Sequence, residues 1–363
     1  MWQVRVFLPL TFGNGDRGLG TNVYIHAFIP LLTKNVLIMS VQTTTEYIDL
    51  LNQGVSRELQ VSLQYMLQHA KMEKLIRKKI SENILLEKTT YEAMGKFLRE
   101  FAIQEMKHAA NIMERIYYLG GMATTKSNKP NVGDTLSEFA RNGAKAEEEA
   151  LILYRKIIDA AMKNGDWKTH ELFEKIYADE EMHLFKFQEY MNFKDEPEGP
   201  EPSLSEWRKI FTVDYFEMLN KAAASEIFAV IQYVNQHEKA NLLALRTKNI
   251  PLELITEKNK AEVVSELLKG VFMQEMEHLE KISERIYLLE GEAASLPDPL
   301  PRVGETADDF LRLDHAAEND AILLYRKIIE EAFKRGDTLT RHMFEEIVIQ
   351  EEEHYWKFDD FLK

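Results

Sequence analysis

Phe173, Ile176, Glu180, His183 and Phe187 step along the chain by three, four, three and four residues, and Phe344, Ile347, Glu351, His354 and Phe358 repeat those steps. That spacing puts each set on one face of an α-helix, and its aromatic and aliphatic members mark a face that packs into a core. Stretches of helical period run from about Thr44 past His69, from about Thr90 to Leu119, from near Asp134 to Lys163, and from Asp166 to near Phe193. Glu73 to Lys88 continues or caps the first. Gly120 and Gly121 close the second, and Asp134 is the expected N-cap of the third. The short joint at Asn164–Asp166 makes the third and fourth helices antiparallel neighbours. The long joint from Met122 to Gly133, which contains Pro130, implies a crossover along a four-helix bundle. Gly and Pro lie between the periodic stretches, so an all-α chain is predicted.

The pattern then starts again. Asn52, Gln64 and Tyr65 return as Asn220, Gln232 and Tyr233, Glu114–Tyr117 returns as Glu284–Tyr287, and Tyr154–Ile158 as Tyr325–Ile329. This is a tandem duplication of a complete bundle. The predicted layout is an extension over 1–38, a first bundle over 39–195, a linker over 196–204 and a second bundle over 205–363. The linker is rich in Pro and Glu, and neither bundle carries a fifth helix. Residues 1–38 read as a disordered or non-native start. Gly13 to Gly18 has the spacing of a dinucleotide fingerprint, but no strand-helix-strand unit encloses it. The apolar run from Asn22 to Met39 is broken by His26, Pro30 and Lys34, which argues against a membrane anchor. No secretory signal pattern is present, and a cytoplasmic protein is expected.

The polar members of the core stripes carry the chemistry. Glu-x-x-His occurs four times, at Glu105–His108, Glu180–His183, Glu275–His278 and Glu351–His354. Residues three apart share a helix face, so each copy aims a carboxylate and an imidazole inward. A bare carboxylate is costly to bury unless it is paired or binds a metal. The second helix-pair type offers Glu58 and Glu147 in the first bundle and Glu226 and Glu318 in the second, expected as bridging carboxylates. Each is followed seven residues later by a tyrosine: Tyr65, Tyr154, Tyr233 and Tyr325. These tyrosines are plain core, or Tyr65 and Tyr154 hydrogen-bond the opposite bridging glutamate or quench oxidants. Carboxylates with imidazoles suit iron or manganese, and zinc less specifically. The alternative is a metal-free buried ion-pair network, in which four carboxylates share too few cations. Asp314 stands where the first bundle has Gly143, and is expected to steady a ligand histidine, making the second site the tighter or faster one.

Composition narrows the chemistry further. The formal net charge is −15 with no cysteine among 363 residues. This argues against nucleic acid as a partner and excludes thiolate-bound zinc, iron–sulfur and rubredoxin-type centres.

Through these motifs the sequence resembles the ferritin-like superfamily, and bacterioferritins in particular. The resemblance rests on Glu58 with Gln64-Tyr65, Glu105-Met-Lys-His108, Glu147 and Asp179-Glu-Glu-Met-His183, and on their second copies through Glu226, Glu275–His278, Glu318 and Gln350–His354. It implies two di-iron sites per chain, with a ferroxidase activity that oxidises Fe(II) with O2 or H2O2 and often feeds an iron store. Met106 and Met276 stand where bacterioferritins carry a haem-ligating methionine, which implies haem b between two copies, or plain packing. A homo-oligomer or an intrachain pseudo-dimer follows from the same resemblance. The lack of a fifth helix puts a hollow cage in doubt. Competing functions are a rubrerythrin-like peroxide reductase fed by an outside electron donor, and a non-catalytic metal buffer or structural bundle.

Overall fold

The computed structural model describes residues 43–81, 85–191, 211–246 and 255–363. Among the described residues there are eight helices and no strand. The first repeat contributes α1 (Thr45–Ser81), α2 (Leu85–Tyr118), α3 (Leu136–Lys163) and α4 (Trp167–Tyr190). The second contributes α5 (Val213–Arg246), α6 (Ile255–Leu288), α7 (Ala307–Arg335) and α8 (Thr338–Leu362). The amino-terminal extension, the Gly13–Gly18 stretch and the 196–204 linker lie outside the described residues.

Helix ends differ from the periodic expectation where local chemistry decides them. Glu73 to Ser81 continues α1, and α2 begins at Leu85, ahead of Thr90. The N-cap of α3 is Thr135 rather than Asp134: its hydroxyl accepts from the Glu138 amide at 3.2 Å. Asp134 instead receives the ammonium of Lys71 at 2.5 Å. Thr306 caps α7 in the same way, and the Asp309 carboxylate accepts in return from the Thr306 amide.

Each repeat is two helix hairpins, α1 with α2 and α3 with α4, and their counterparts α5 with α6 and α7 with α8. Two repeated devices hold the hairpins together. Asp166 caps α4 by accepting from the Thr169 amide at 3.0 Å, and also takes Arg115 of α2 at 2.5 Å and Tyr47 of α1 at 3.0 Å. Asp337 does the same with Thr340, Arg285 and Tyr215. The long crossover is pinned to α1 by Asn52, which accepts from the Thr124 amide at 2.7 Å, and by Gln64, which accepts from Asn131 at 3.1 Å. Asn220 and Gln232 repeat these bonds with Ala294 and Arg302. The recurrence of Asn52 and Gln64 in sequence is therefore a recurrence of crossover anchors.

The repeats pack through α1 against α6 and α2 against α5, an exchange-symmetric arrangement like that of a two-fold dimer. Together they form one compact unit from Val41 to Lys363. Two buried lysines mark this face. Lys71 donates to the Gly133 carbonyl at 3.1 Å and lies 5.1 Å from the ring of Tyr287. Lys239 donates to the Gly304 carbonyl at 2.6 Å and lies 6.0 Å from the ring of Tyr117.

Gly143 explains itself by packing. A Cβ there would overlap the ring of Phe187, which is fully buried and 5.1 Å from the ring of Tyr65. Alanine would gain about 1 kcal/mol of helix propensity and lose about 1–3 kcal/mol to overpacking. Gly143→Ala is expected to destabilise the chain on balance, seen as a lower denaturant midpoint with an unchanged slope.

Candidate metal centres

Each of the four inner helices of a repeat delivers one carboxylate to a single buried point. In the first repeat Glu58 comes from α1, Glu105 from α2, Glu147 from α3 and Glu180 from α4, all fully buried. They form two groups of possible ligands, Glu58, Glu105, His108 and Glu180, and Glu105, Glu147, Glu180 and His183. Within each group the donor atoms lie within 4.8 Å of one another. The second repeat has the same pair of groups, Glu226, Glu275, His278 and Glu351, and Glu275, Glu318, Glu351 and His354.

The grouping reassigns one role. The shared carboxylates are Glu105 and Glu180, and Glu275 and Glu351, all from the Glu-x-x-His motifs. Glu58, Glu147, Glu226 and Glu318, expected to bridge, each belong to one group only. The histidines agree with this layout. Nδ1 of His108 is 3.0 Å from Glu105 and 3.2 Å from Glu180, and Nδ1 of His183 is 2.8 Å from Glu105 and 3.0 Å from Glu180. Their ring centroids are 6.3 Å apart.

The outer nitrogens show why Nδ1 faces inward. Nε2 of His108 is 3.1 Å from Asp179, and Nε2 of His183 is 3.3 Å from the Gln104 side-chain oxygen. Gln350 and Gln274 hold His278 and His354 at 2.7 and 3.0 Å. An acceptor outside keeps the proton on Nε2 and leaves Nδ1 as the donor to a metal. The pairing is crosswise, since the residue before one motif's glutamate steadies the other motif's histidine. Sequence reasoning missed these residues. The available signal was an acceptor immediately before all four motif glutamates: Gln104, Asp179, Gln274 and Gln350.

The tyrosines also cross. Tyr65 donates to Glu147 and Tyr154 to Glu58, while Tyr233 donates to Glu318 at 2.6 Å and Tyr325 to Glu226. Asp314 does not touch a ligand histidine: it accepts from Gln232 at 2.9 Å, so the role expected for it is not supported. Met106 and Met276 are buried on α2 and α6, each one residue past a shared glutamate.

The charge balance fits a metal. Oε2 of Glu58 and Oε2 of Glu147 are buried and accept no hydrogen bond. Such oxygens are costly to bury unless a cation meets them. Without metal the cluster compensates with protons. Burial, and then the charges of Glu180 and Glu105, push Glu58 and Glu147 well above the usual carboxylate range. Burial works against a charged His108, but hydrogen bonds to Glu105 and Glu180 outweigh it and push it up to about 12. The same contest, with Glu105 the leading partner, pushes His183 up to about 10. Glu105 is held low against burial by the His183 charge and the bonds to both histidines.

A proton-loaded cluster must discharge to bind a cation, because imidazole coordinates only when its Nδ1 is free. Metal loading is therefore expected to release protons, about two per repeat from the histidines and more from the raised carboxyls of Glu58 and Glu147. Apparent affinity should rise with pH across the neutral range, since both raised histidine values lie above it. Calorimetry in buffers of different ionisation enthalpy checks this. Loading without proton release would mean that the histidines are neutral in the metal-free chain.

The family model of the ferritin-like domain matches residues 48–194 and 253–363. The bacterioferritin of Desulfovibrio desulfuricans is 31% identical over 138 residues, 38% of this chain and 69% of that protein. The bacterioferritin of Rhodobacter capsulatus is 32% identical over 148 residues, 40% of this chain and 79% of that protein. Among solved structures, the R. capsulatus bacterioferritin, with a metal-free dinuclear site and a haem iron, aligns with a TM-score of 0.36 and 27% identity. It covers 41% of this chain and 85% of its own. The D. desulfuricans bacterioferritin, whose di-iron site was seen in different catalytic states, aligns at 0.35 and 28%, covering 40% of this chain and 78% of its own. Among the described residues no helix is long and apolar enough to cross a membrane.

Proposed function

The chain belongs to the ferritin-like domain family, and on that premise we propose that each repeat is a di-iron carboxylate centre with ferroxidase activity, serving iron storage or detoxification. The observation that carries this is the doubled set of four carboxylates and two histidines, buried with unpartnered oxygens at the middle of each repeat. Iron bound there would supply the redox change between Fe(II) and Fe(III), with O2 or H2O2 taking the electrons.

The residues divide the work. Glu105 and Glu180, which belong to both ligand groups, would hold both metals. Glu58 with His108, and Glu147 with His183, each complete one position. Asp179 and Gln104 fix the imidazoles in the tautomer that can bind. Tyr154 and Tyr65 hold Glu58 and Glu147 crosswise through one oxygen, leaving the other oxygen of each free for a cation. The second repeat assigns the same parts to Glu275, Glu351, Glu226, His278, Glu318, His354, Tyr325 and Tyr233.

The test is an anaerobic Fe(II) titration of metal-free chain, followed by O2 or H2O2. Two positions in each of two repeats predict saturation at about four irons per chain, then oxidation seen in absorbance. Uptake far beyond that number would add a store to the centre. A peroxide reductase would instead turn over with peroxide only while an external reductant is supplied. Binding without any oxidation would leave a metal buffer and overturn the enzymatic reading.

A further inference from the structure

Arg57 and Ser225 occupy equivalent positions, each one residue before the first glutamate of its repeat, Glu58 and Glu226. They shape the way in differently. In the second repeat a cleft opens between α5 and α7 and reaches Glu226, Glu275, Glu318 and Glu351. Ser225 and Ala317 line it and are half-buried. In the first repeat the corresponding residues are Arg57 and Ala146, only 8% and 4% exposed. The guanidinium of Arg57 crosses from α1 to α3, donates to the Ala146 carbonyl and lies 3.5 Å from Glu149. The layer beneath is sealed as well. Val61 and Ala150 are each 1% exposed, against 9% and 8% for Ala229 and Ala321 in the second repeat.

We propose that the two centres are loaded unequally: divalent cations enter the second repeat directly through the α5–α7 cleft, while Arg57 gates the first. This rests on both clusters being metal centres. A guanidinium stays charged at any working pH, so it obstructs a cation by bulk and by charge together. Its hold is modest. The ion pair is to Glu149, whose side chain is 56% exposed, and exposed pairs of this kind stabilise little. The gate therefore opens at intervals, and the first repeat fills slowly rather than never. The carboxylate and histidine ligands that attract the cation are the same in both repeats, so the difference lies in rate and not in the final occupancy.

The probe is Co(II) alone, added to full-length metal-free chain in a stopped-flow instrument and followed by its visible absorption. Glu351→Ala isolates the first centre and Glu105→Ala the second. The second centre is expected to fill at least tenfold faster than the first. Arg57→Ser should raise the rate at the first centre about tenfold, and Ser225→Arg should lower the rate at the second by a similar factor, both with unchanged final cobalt content. Ser225→Arg keeps the test open should Arg57→Ser fold poorly. Equal rates in the two isolated centres at full occupancy, or rates unmoved by either substitution, would overturn the gate while leaving the metal centres intact. Chains that bind no cobalt at either centre would overturn the metal reading and the gate with it.

Discussion

Glu105→Ala is expected to strip both metals from the first repeat and leave the second filled, so that metal per chain falls by half. The reason is geometric. Glu105 belongs to both ligand groups of its repeat, and one substitution therefore removes a donor from both positions. Loss of a partner that merely steadies a ligand costs roughly 10–100-fold in affinity, and loss of a shared ligand should exceed the upper end of that range. Glu351→Ala should do the same to the second repeat only. Glu58→Ala is the informative contrast, because Glu58 belongs to one group: its repeat should keep one metal of two. Metal analysis after gel filtration measures all three. If Glu58→Ala empties its repeat as completely as Glu105→Ala, the division into shared and single carboxylates is wrong.

That division shows where sequence stops being informative. The helices and the duplication were legible because apolar spacing and repeated motifs are one-dimensional facts. The inward carboxylates were legible for the same reason, since Glu180 and His183 sit on the stripe of Phe173, Ile176 and Phe187. Which carboxylates are shared was not, because Glu58 and Glu105 are chemically identical and only their positions relative to the other ligands in the folded bundle separate them. The caps show the same limit on a smaller scale. Asp134 and Thr135 are both good N-caps, and the choice is made by a contact from distant Lys71. Asp314 looked like a partner for histidine, but helix rotation brings it to Gln232. Arg57 gave no sequence signal on its own; its burial and its contact with the Ala146 carbonyl on α3 set it apart from a surface arginine.

Glu58→Gln is expected to act on stability with opposite signs in the two states, raising the melting temperature of the metal-free chain and lowering that of the metal-loaded one. In the metal-free chain Glu58 is raised above its ordinary value of 4.5, first by burial and then by the charges of Glu180 and Glu105. A carboxyl raised on folding contributes stability that is fully present below its unfolded value and is lost as pH rises toward its folded value. As pH rises above the ordinary carboxylate value, folding therefore has to take up a proton at this position, which is a cost. Glutamine has the same shape and no such cost. Its carbonyl oxygen can accept from Tyr154 as Glu58 does. Its amide then takes the place of the unpartnered Oε2, where it can donate to the neighbouring carboxylates. A gain of about 1–2 kcal/mol is in the range found when a functional strain is relieved, a shift of a few degrees in a chain of this size. The difference should shrink as pH falls to the ordinary carboxylate value, where the unfolded chain is protonated as well. Glu105→Gln should go the other way without metal, because Glu105 is held ionised as the shared acceptor of His108 and His183, and removing that charge leaves two buried cations less compensated. Calorimetric melts in chelator at neutral and acid pH separate the two substitutions. If Glu58→Gln lowers the melting temperature in chelator, the metal-free cluster does not carry its proton on Glu58, and the balance between its carboxylates and imidazoles must be redrawn.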